Sequence, residues 1–220
     1  MTRIVAVSGY KNSGKTTLCR RLLKELGKLG VRTGYIKRTS EEALSEKKTD
    51  TGSVAEMGVD SALWGSDGLR FESPLAAEPT PQSIASRYFP DAELVILEGG
   101  KELELPKVWV ASNGEPTPNF PGIFLIYDRS FSGNCGRVFG SGSEAALAAK
   151  LADFVRGAAY RSASVYIGER QLPMKDFVAD FVRGGILGML ASLKGGERGG
   201  DSVRVYLDGD TTGKNETVGK

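Results

Sequence analysis

Histidine is absent from this sequence of 220 residues, and cysteine occurs only twice, at Cys19 and Cys135. The lack of histidine removes the commonest general base near neutral pH and the commonest ligand for transition metals. The two cysteines lie far apart in the sequence, which argues against a disulfide framework or a zinc ribbon. Any catalysis must therefore use carboxylates, lysines, hydroxyls, backbone dipoles or a hard cation.

Long apolar runs and an excess of one charge are also missing. No stretch approaches the ~18 apolar residues of a membrane span, and the N-terminus lacks the pattern of a secretory signal. The 29 basic and 27 acidic side chains leave a formal net charge of +2, which provides no electrostatic footprint for nucleic acid or a membrane surface. We therefore expect a cytoplasmic protein that binds neither nucleic acid nor membranes.

Short apolar runs alternate with helical patterns over residues 1–159. Strands are predicted at 4–8, 31–38, 62–65, 92–100, 107–112 and 122–128, and helices at 16–29, 53–58, 83–89 and 143–159. Runs that are apolar on both faces and alternate with helices predict an α/β fold with a mostly parallel sheet and helices on both faces.

The remainder of the chain has a different pattern. Residues 160–208 predict a small C-terminal α+β unit: a strand and turn, an amphipathic helix from about residue 175, and an alternating strand over 201–209. This unit is either a docking or dimerisation element, or a packing extension that covers a sheet edge. The polar residues 209–220 predict a disordered tail.

The strongest motif is GYKNSGKT, from Gly9 to Thr16, which matches G-x-x-x-x-G-K-[ST] between a predicted strand and a predicted helix. Glycines let successive N–H groups point into one concavity, and the helix N-terminus adds a partial positive charge. We interpret it as the P-loop of an NTPase-type fold, although a glycine turn without a ligand could have the same residue pattern. The residues predicted to bind nucleotide here are Gly9, Lys11, Asn12, Ser13, Gly14, Lys15, Thr16 and Thr17.

The chemistry of such a loop assigns roles to individual side chains. Lys15 would reach the β- and γ-phosphates, and the Thr16 hydroxyl would ligate Mg²⁺. A second acid is needed near the metal, and Glu98 ends the most apolar predicted strand, although it could also be an exposed loop carboxylate. Asp50 is the other candidate, and for it a functional and a purely structural role are equally supported. We thus predict Lys15, Glu98 and Asp50 as catalytic, and Thr16, Asp50 and Glu98 as metal ligands.

Four segments together resemble the molybdopterin-guanine dinucleotide biosynthesis protein B (MobB) family over about residues 1–130: VSGYKNSGKTTL, YIKRT, TDTGSVAEMG and LVILEGGKELELPKVWV. Residues 165–195 are similar to a C-terminal appendage of some longer members. The resemblance implies a GTP-binding accessory protein with slow GTPase activity, dependent on Mg²⁺ and dimeric. It would assist a molybdopterin guanylyltransferase in attaching GMP to molybdopterin, giving the guanine dinucleotide form of the molybdenum or tungsten cofactor.

The resemblance also adds residues. Lys37 matches the lysine that ends the second strand of the family, Lys101 the lysine of its E-G-x-K turn, and Lys107 the lysine of its Pro-Lys pair. Asp50 matches the aspartate that opens the next segment of the family, and this resemblance favours a functional role for it. Asp128 falls where the family often has an acid, but we favour a plain loop role for it. The histidines that the family has after Lys37 and after Asp50 are missing here, which leaves the exact substrate open.

Two other functions remain open. A metal-insertion chaperone GTPase has related architecture, but such proteins usually bind their cargo with histidine or cysteine. A P-loop small-molecule kinase would use the same loop, with arginines near the transferred phosphoryl group.

Overall fold

The computed structural model describes residues 2–75, 78–111, 116–157, 163–167, 170–194, 203–205 and 207. Its elements, in chain order, are β1 (Arg3–Gly9), α1 (Lys15–Lys28), β2 (Thr33–Lys37), α2 (Asp50–Glu56), β3 (Ser61–Trp64), β4 (Leu69–Glu72), α3 (Pro81–Tyr88), β5 (Leu94–Glu98), β6 (Lys107–Ala111), β7 (Ile123–Ser132), β8 (Asn134–Cys135), β9 (Val138–Ser141), α4 (Glu144–Arg156), β10 (Tyr166–Ile167), β11 (Arg170–Gln171) and α5 (Asp176–Ala191).

Seven of the strands form one sheet in the order β2-β5-β1-β6-β7-β9-β8. All neighbouring pairs in it are parallel except the last, in which β8 is antiparallel to β9. The predicted α/β fold with a mostly parallel sheet is therefore confirmed. Because parallel strands end at the same edge, the residues that follow β1, β2, β5 and β7 are brought to one side of the molecule.

The central strands are apolar on both faces because both faces are covered. On one face, Val5 and Val7 of β1 pack in a cluster with Leu18 and Leu22 of α1 and with residues of α4. On the other face, a second cluster joins the alternate residues of β1 and β5 to α3. Burial from both sides explains why these strands show continuous apolar runs rather than alternation.

Several elements differ from the sequence prediction. The predicted strand at 62–65 is β3, one arm of a separate antiparallel hairpin whose second arm, β4, was not predicted. Strand β9 was also missed, because Val138–Ser141 contains a glycine and a serine and is held in the sheet by pairing with β7. The predicted helix over 143–159 ends at Arg156.

The C-terminal residues form a small hairpin, β10–β11, followed by α5. Of the strand predicted over 201–209, residues 203–205 and 207 are described and are not in a strand, and the remainder and the tail at 209–220 lie outside the described residues. Among the helices of the described chain, none has the length and apolar character needed to cross a bilayer.

Candidate functional site

In the loop between β1 and α1, several amide groups have no hydrogen-bond acceptor among the described residues. Asn12 and Gly14 have positive φ angles of 63° and 93°, which turn the backbone inward. Ser13 N–H donates to the Tyr10 carbonyl, but the N–H groups of Lys11, Asn12 and Gly14 have no acceptor among the described residues. No side chain caps the N-terminus of α1. These free donors form a concavity suited to an anion.

Two further observations fit a phosphate at this loop. A Cβ atom on Gly9 would lie 2.6 Å from Ser13 Oγ and 2.7 Å from the Val110 carbonyl oxygen, so only glycine fits there. The Ser13 hydroxyl is buried and has no partner among the described residues. A buried polar group of this kind usually has a hydrogen-bond partner, which a bound phosphate could provide.

The ammonium of Lys15 lies over the loop and donates to the Tyr10 carbonyl at 2.6 Å. Burial lowers the pKa of Lys15, and the nearby Glu98 carboxylate opposes that shift. The lysine is therefore a partly desolvated donor beside the free amides, and a carbonyl oxygen is its current acceptor. A phosphate would be a stronger one, since hydrogen bonds between charged groups are about twice as strong as neutral ones.

Glu98 ends β5 and is buried beneath the loop, with 5% of its surface exposed. Its carboxylate accepts a hydrogen bond of 2.6 Å from Thr16 Oγ1 and another of 2.6 Å from the Tyr35 hydroxyl. Burial and the bond to Glu98 raise the pKa of Tyr35, so the tyrosine remains a donor. A threonine hydroxyl and a carboxylate in contact are hard oxygen donors, and they fit Mg²⁺. Thr16 and Glu98 could hold this ion together with nucleotide phosphates.

The other predicted residues lie at varying distances from this centre. Lys37 ends β2 and is paired in register with Glu98, although its side chain is exposed. Thr17 is exposed on the first turn of α1. Asp50 opens α2, where Thr49 caps the helix, and its carboxylate makes no hydrogen bond or ion pair with the described residues of the loop. A metal or catalytic role for Asp50 stays a prediction without a contact to support it.

Arg129 also lies at this candidate site, although nothing in the sequence predicted it. A Cβ atom placed on Gly14 would lie 3.2 Å from the guanidinium carbon of Arg129, so this side chain covers the loop from the β7 side. It is exposed and forms no ion pair with a described carboxylate. No sequence signal marks it, because its approach depends on β7 lying two strands from β1. Its neighbour Asp128 lies within β7 and not in a loop, so the predicted loop position is wrong. Its carboxylate accepts hydrogen bonds from the Ser130 N–H and hydroxyl.

An open cavity of about 480 Å³ lies beside the loop on the side of β5 and β2. It is lined by three segments: residues 9–11 of the loop, 38–40 after β2, and 99–102 after β5. Gly99 and Gly100 have φ angles of 104° and 60°, which turn the chain sharply away from Glu98 at the cavity wall. Lys101 is at this wall, with its ammonium 5.8 Å from the ring centroids of both Tyr10 and Phe120.

Comparison with known proteins gives consistent results. The family model described as molybdopterin guanine dinucleotide synthesis protein B matches residues 4–121. Proteins named molybdopterin-guanine dinucleotide biosynthesis adapter proteins are similar in sequence: one from Methanocaldococcus jannaschii is 34% identical over 113 residues, which are 48% of this chain and 46% of that one. A relative from Bacillus subtilis is 31% identical over 56% of this chain and 73% of its own length. One from Escherichia coli is 29% identical over 52% of this chain and 68% of its own length. The chain thus spans less than half the length of the Methanocaldococcus relative.

Solved structures agree at the level of the fold. A MobB protein homologue from Bacillus stearothermophilus has a TM-score of 0.52 and 22% identity, covering 70% of this chain and 99% of that one. A molybdopterin-guanine biosynthesis protein B structure has a TM-score of 0.57 and 22% identity, covering 69% and 99% of the two chains. At this identity the likeness supports the P-loop NTPase-like α/β fold alone.

Proposed function

This chain belongs to the molybdopterin guanine dinucleotide synthesis protein B (MobB) family, and on that premise we propose that it binds GTP with Mg²⁺. We further propose that it acts as an accessory protein in forming the molybdopterin guanine dinucleotide. The observation that carries the proposal is the 2.6 Å contact between Thr16 and Glu98, directly under a loop in which three amide groups have no acceptor among the described residues. It brings together the hydroxyl and the acid that a P-loop site uses for its metal, although 82 positions separate them in the sequence.

In this proposal, different residues bind the phosphates and the metal. The free amides of the loop and the ammonium of Lys15 bind the β- and γ-phosphates, and Thr16 and Glu98 hold Mg²⁺. When bound, the ion neutralises the charge that develops on the phosphate oxygens. Tyr35 holds the Glu98 carboxylate in place through its 2.6 Å hydrogen bond, which keeps one oxygen directed at Thr16.

Hydrolysis by this chain alone is expected to be slow. Rapid P-loop GTPases orient the attacking water with a dedicated side chain, such as glutamine. The chain has no histidine for this role, and the Asp50 carboxylate makes no hydrogen bond or ion pair with the described residues of the loop. We therefore propose a slow GTPase whose turnover is raised by a partner molybdopterin guanylyltransferase, with molybdopterin or its guanine dinucleotide as the associated ligand. A homodimer is part of the same proposal.

Calorimetric titration with GTP and with ATP, each with Mg²⁺, tests the proposal. We expect the full chain to bind GTP more tightly than ATP, and Lys15→Ala to lose most of the affinity. Lys24→Ala is the matched control, because Lys24 is an exposed lysine on the same helix. A preference for ATP would favour the small-molecule kinase instead, and no binding of either nucleotide would refute the proposed function. With binding established, addition of a molybdopterin guanylyltransferase should increase the rate of GTP hydrolysis.

A further inference from the structure

The cavity beside the phosphate loop is distinct from the part of the loop that would hold the metal. Gly14, Lys15, Thr16 and Glu98 do not line it. It begins at Gly99, one residue beyond the acid that contacts Thr16. The cavity therefore lies next to the metal end of the site, where the terminal phosphate of a bound nucleotide would be. It also lies on the opposite side of the loop from Arg129, since β5 and β2 flank one side of β1 and β7 lies on the other.

The charge on the cavity wall is positive. Among the residues that line it, Lys11, Arg38 and Lys101 are basic and Glu102 is the one acid, so the lining carries a net charge of +2. Arg38 is already paired with Glu102 and, at 2.9 Å, with Glu78. Lys11 and Lys101 have no ion pair with any carboxylate that the structure describes. Two unpaired ammonium groups at one cavity favour an anionic ligand.

The cavity also offers an aromatic surface. Tyr10 is 42% exposed and lies edge-on to Trp109, with 5.4 Å between the ring centroids, and Trp109 in turn is 5.6 Å from Phe120. Packing against the buried Trp109 holds the Tyr10 ring in place. Lys101 is 5.8 Å from the Tyr10 and Phe120 centroids, near the 6 Å limit for a cation–π contact. Its ammonium can thus move to a stronger acceptor at small cost.

We propose that this cavity is a second ligand site, which holds a small molecule carrying both a phosphate group and a flat heterocycle next to the terminal phosphate of the nucleotide. Lys11 and Lys101 would bind the phosphate, and Tyr10 would contact the ring. The volume of about 480 Å³ lies within the range of small-molecule sites. This inference rests on the proposed function, and there the ligand class is a pterin phosphate.

The experiment uses the full chain saturated with Mg²⁺ and the non-hydrolysable analogue guanosine 5′-(β,γ-imido)triphosphate. The probe is 6-hydroxymethylpterin monophosphate, whose pterin fluorescence reports binding by anisotropy. We expect saturable binding that weakens about tenfold or more in Lys101→Met, because a hydrogen bond between charged groups is lost. Tyr10→Leu should lower the affinity for the probe. It should leave the affinity for inorganic phosphate, measured by competition, unchanged. Lys150→Met, an exposed lysine on α4, is the matched control and should bind like the unaltered chain.

The two proposals fail separately. Calorimetry first establishes whether each variant binds the nucleotide analogue. If the unaltered chain fails to bind it, GTP binding is refuted. The probe titration is then carried out without nucleotide, and it tests the second site by itself. Absence of probe binding by the nucleotide-loaded chain would overturn the second site and leave the proposed function standing. Equal affinities of Lys101→Met and Lys150→Met would also overturn it. If inorganic phosphate bound, as measured by its competition with the probe, as tightly as the probe itself, the assignment of a ring-bearing ligand would be wrong.

Discussion

Glu98→Gln should separate the proposed metal-binding role of this carboxylate from its structural role. In the native site two hydroxyls donate to it at 2.6 Å, and hydrogen bonds to a charged group contribute about 1.5–3 kcal/mol each against about 1 kcal/mol for neutral ones. The amide has the same shape and can still accept a hydrogen bond. Each of the two hydrogen bonds thus loses about 0.5–2 kcal/mol, so the loss in unfolding free energy is at most about 4 kcal/mol, and relief of the buried charge reduces it. The affinity for Mg²⁺, in contrast, should fall at least ten- to a hundredfold.

Two measurements on each variant test this reasoning. Urea denaturation without nucleotide gives the unfolding free energy, and GTP titrations over a series of Mg²⁺ concentrations give the metal dependence. Tyr35→Phe is the control, because it removes one of the two hydrogen bonds and keeps the carboxylate. We expect it to lower the unfolding free energy by about 1–3 kcal/mol and, because the carboxylate itself remains, to weaken Mg²⁺ binding less than Glu98→Gln does. If Glu98→Gln bound GTP with unchanged Mg²⁺ dependence, the carboxylate would not be a metal ligand.

Three more predictions concern other parts of the molecule. Arg129→Ala should weaken GTP binding about tenfold in calorimetry, since it removes an unpaired cation at the loop, while Arg183→Ala on α5 leaves affinity unchanged. Lys107→Met should lower the unfolding free energy, measured by urea denaturation, by about 3 kcal/mol or more, because this fully buried ammonium donates to three backbone carbonyls. A loss under about 1 kcal/mol would contradict that role. For Glu144, burial raises the pKa, but hydrogen bonds from Tyr127 and Arg21 outweigh it and hold the pKa below the usual 4.5. Its contribution to stability is therefore present above pH 4.5 and lost as the pH falls through the lowered pKa, so the difference in unfolding free energy from Glu144→Gln should shrink only below about pH 4.5.

The conformation of the loop at residues 9–16 could be predicted from the sequence because its structure is local. Eight consecutive residues between a strand and a helix contain the glycines, the lysine and the threonine, and the spacing alone determines how the amides turn inward. Glu98 was also predictable, because an acid at the end of the most apolar strand of a parallel sheet lies at the edge where β1 ends. The sequence did not indicate that Tyr35 holds this acid, since that contact depends on β2 lying beside β5.

Features of the site that depend on the order of strands could be learned only from the tertiary structure. Arg129 reaches the loop because β7 lies two strands from β1, and no spacing in the chain specifies that neighbour. The cavity forms where segments after β1, β2 and β5 meet, although Gly9 and Glu102 are 93 positions apart in the sequence (102 − 9). The sequence thus determined the fold class and the chemistry of the phosphate loop through local patterns. Which distant cations and rings surround the loop was decided by packing between elements, which acts through long-range contacts that no local pattern contains.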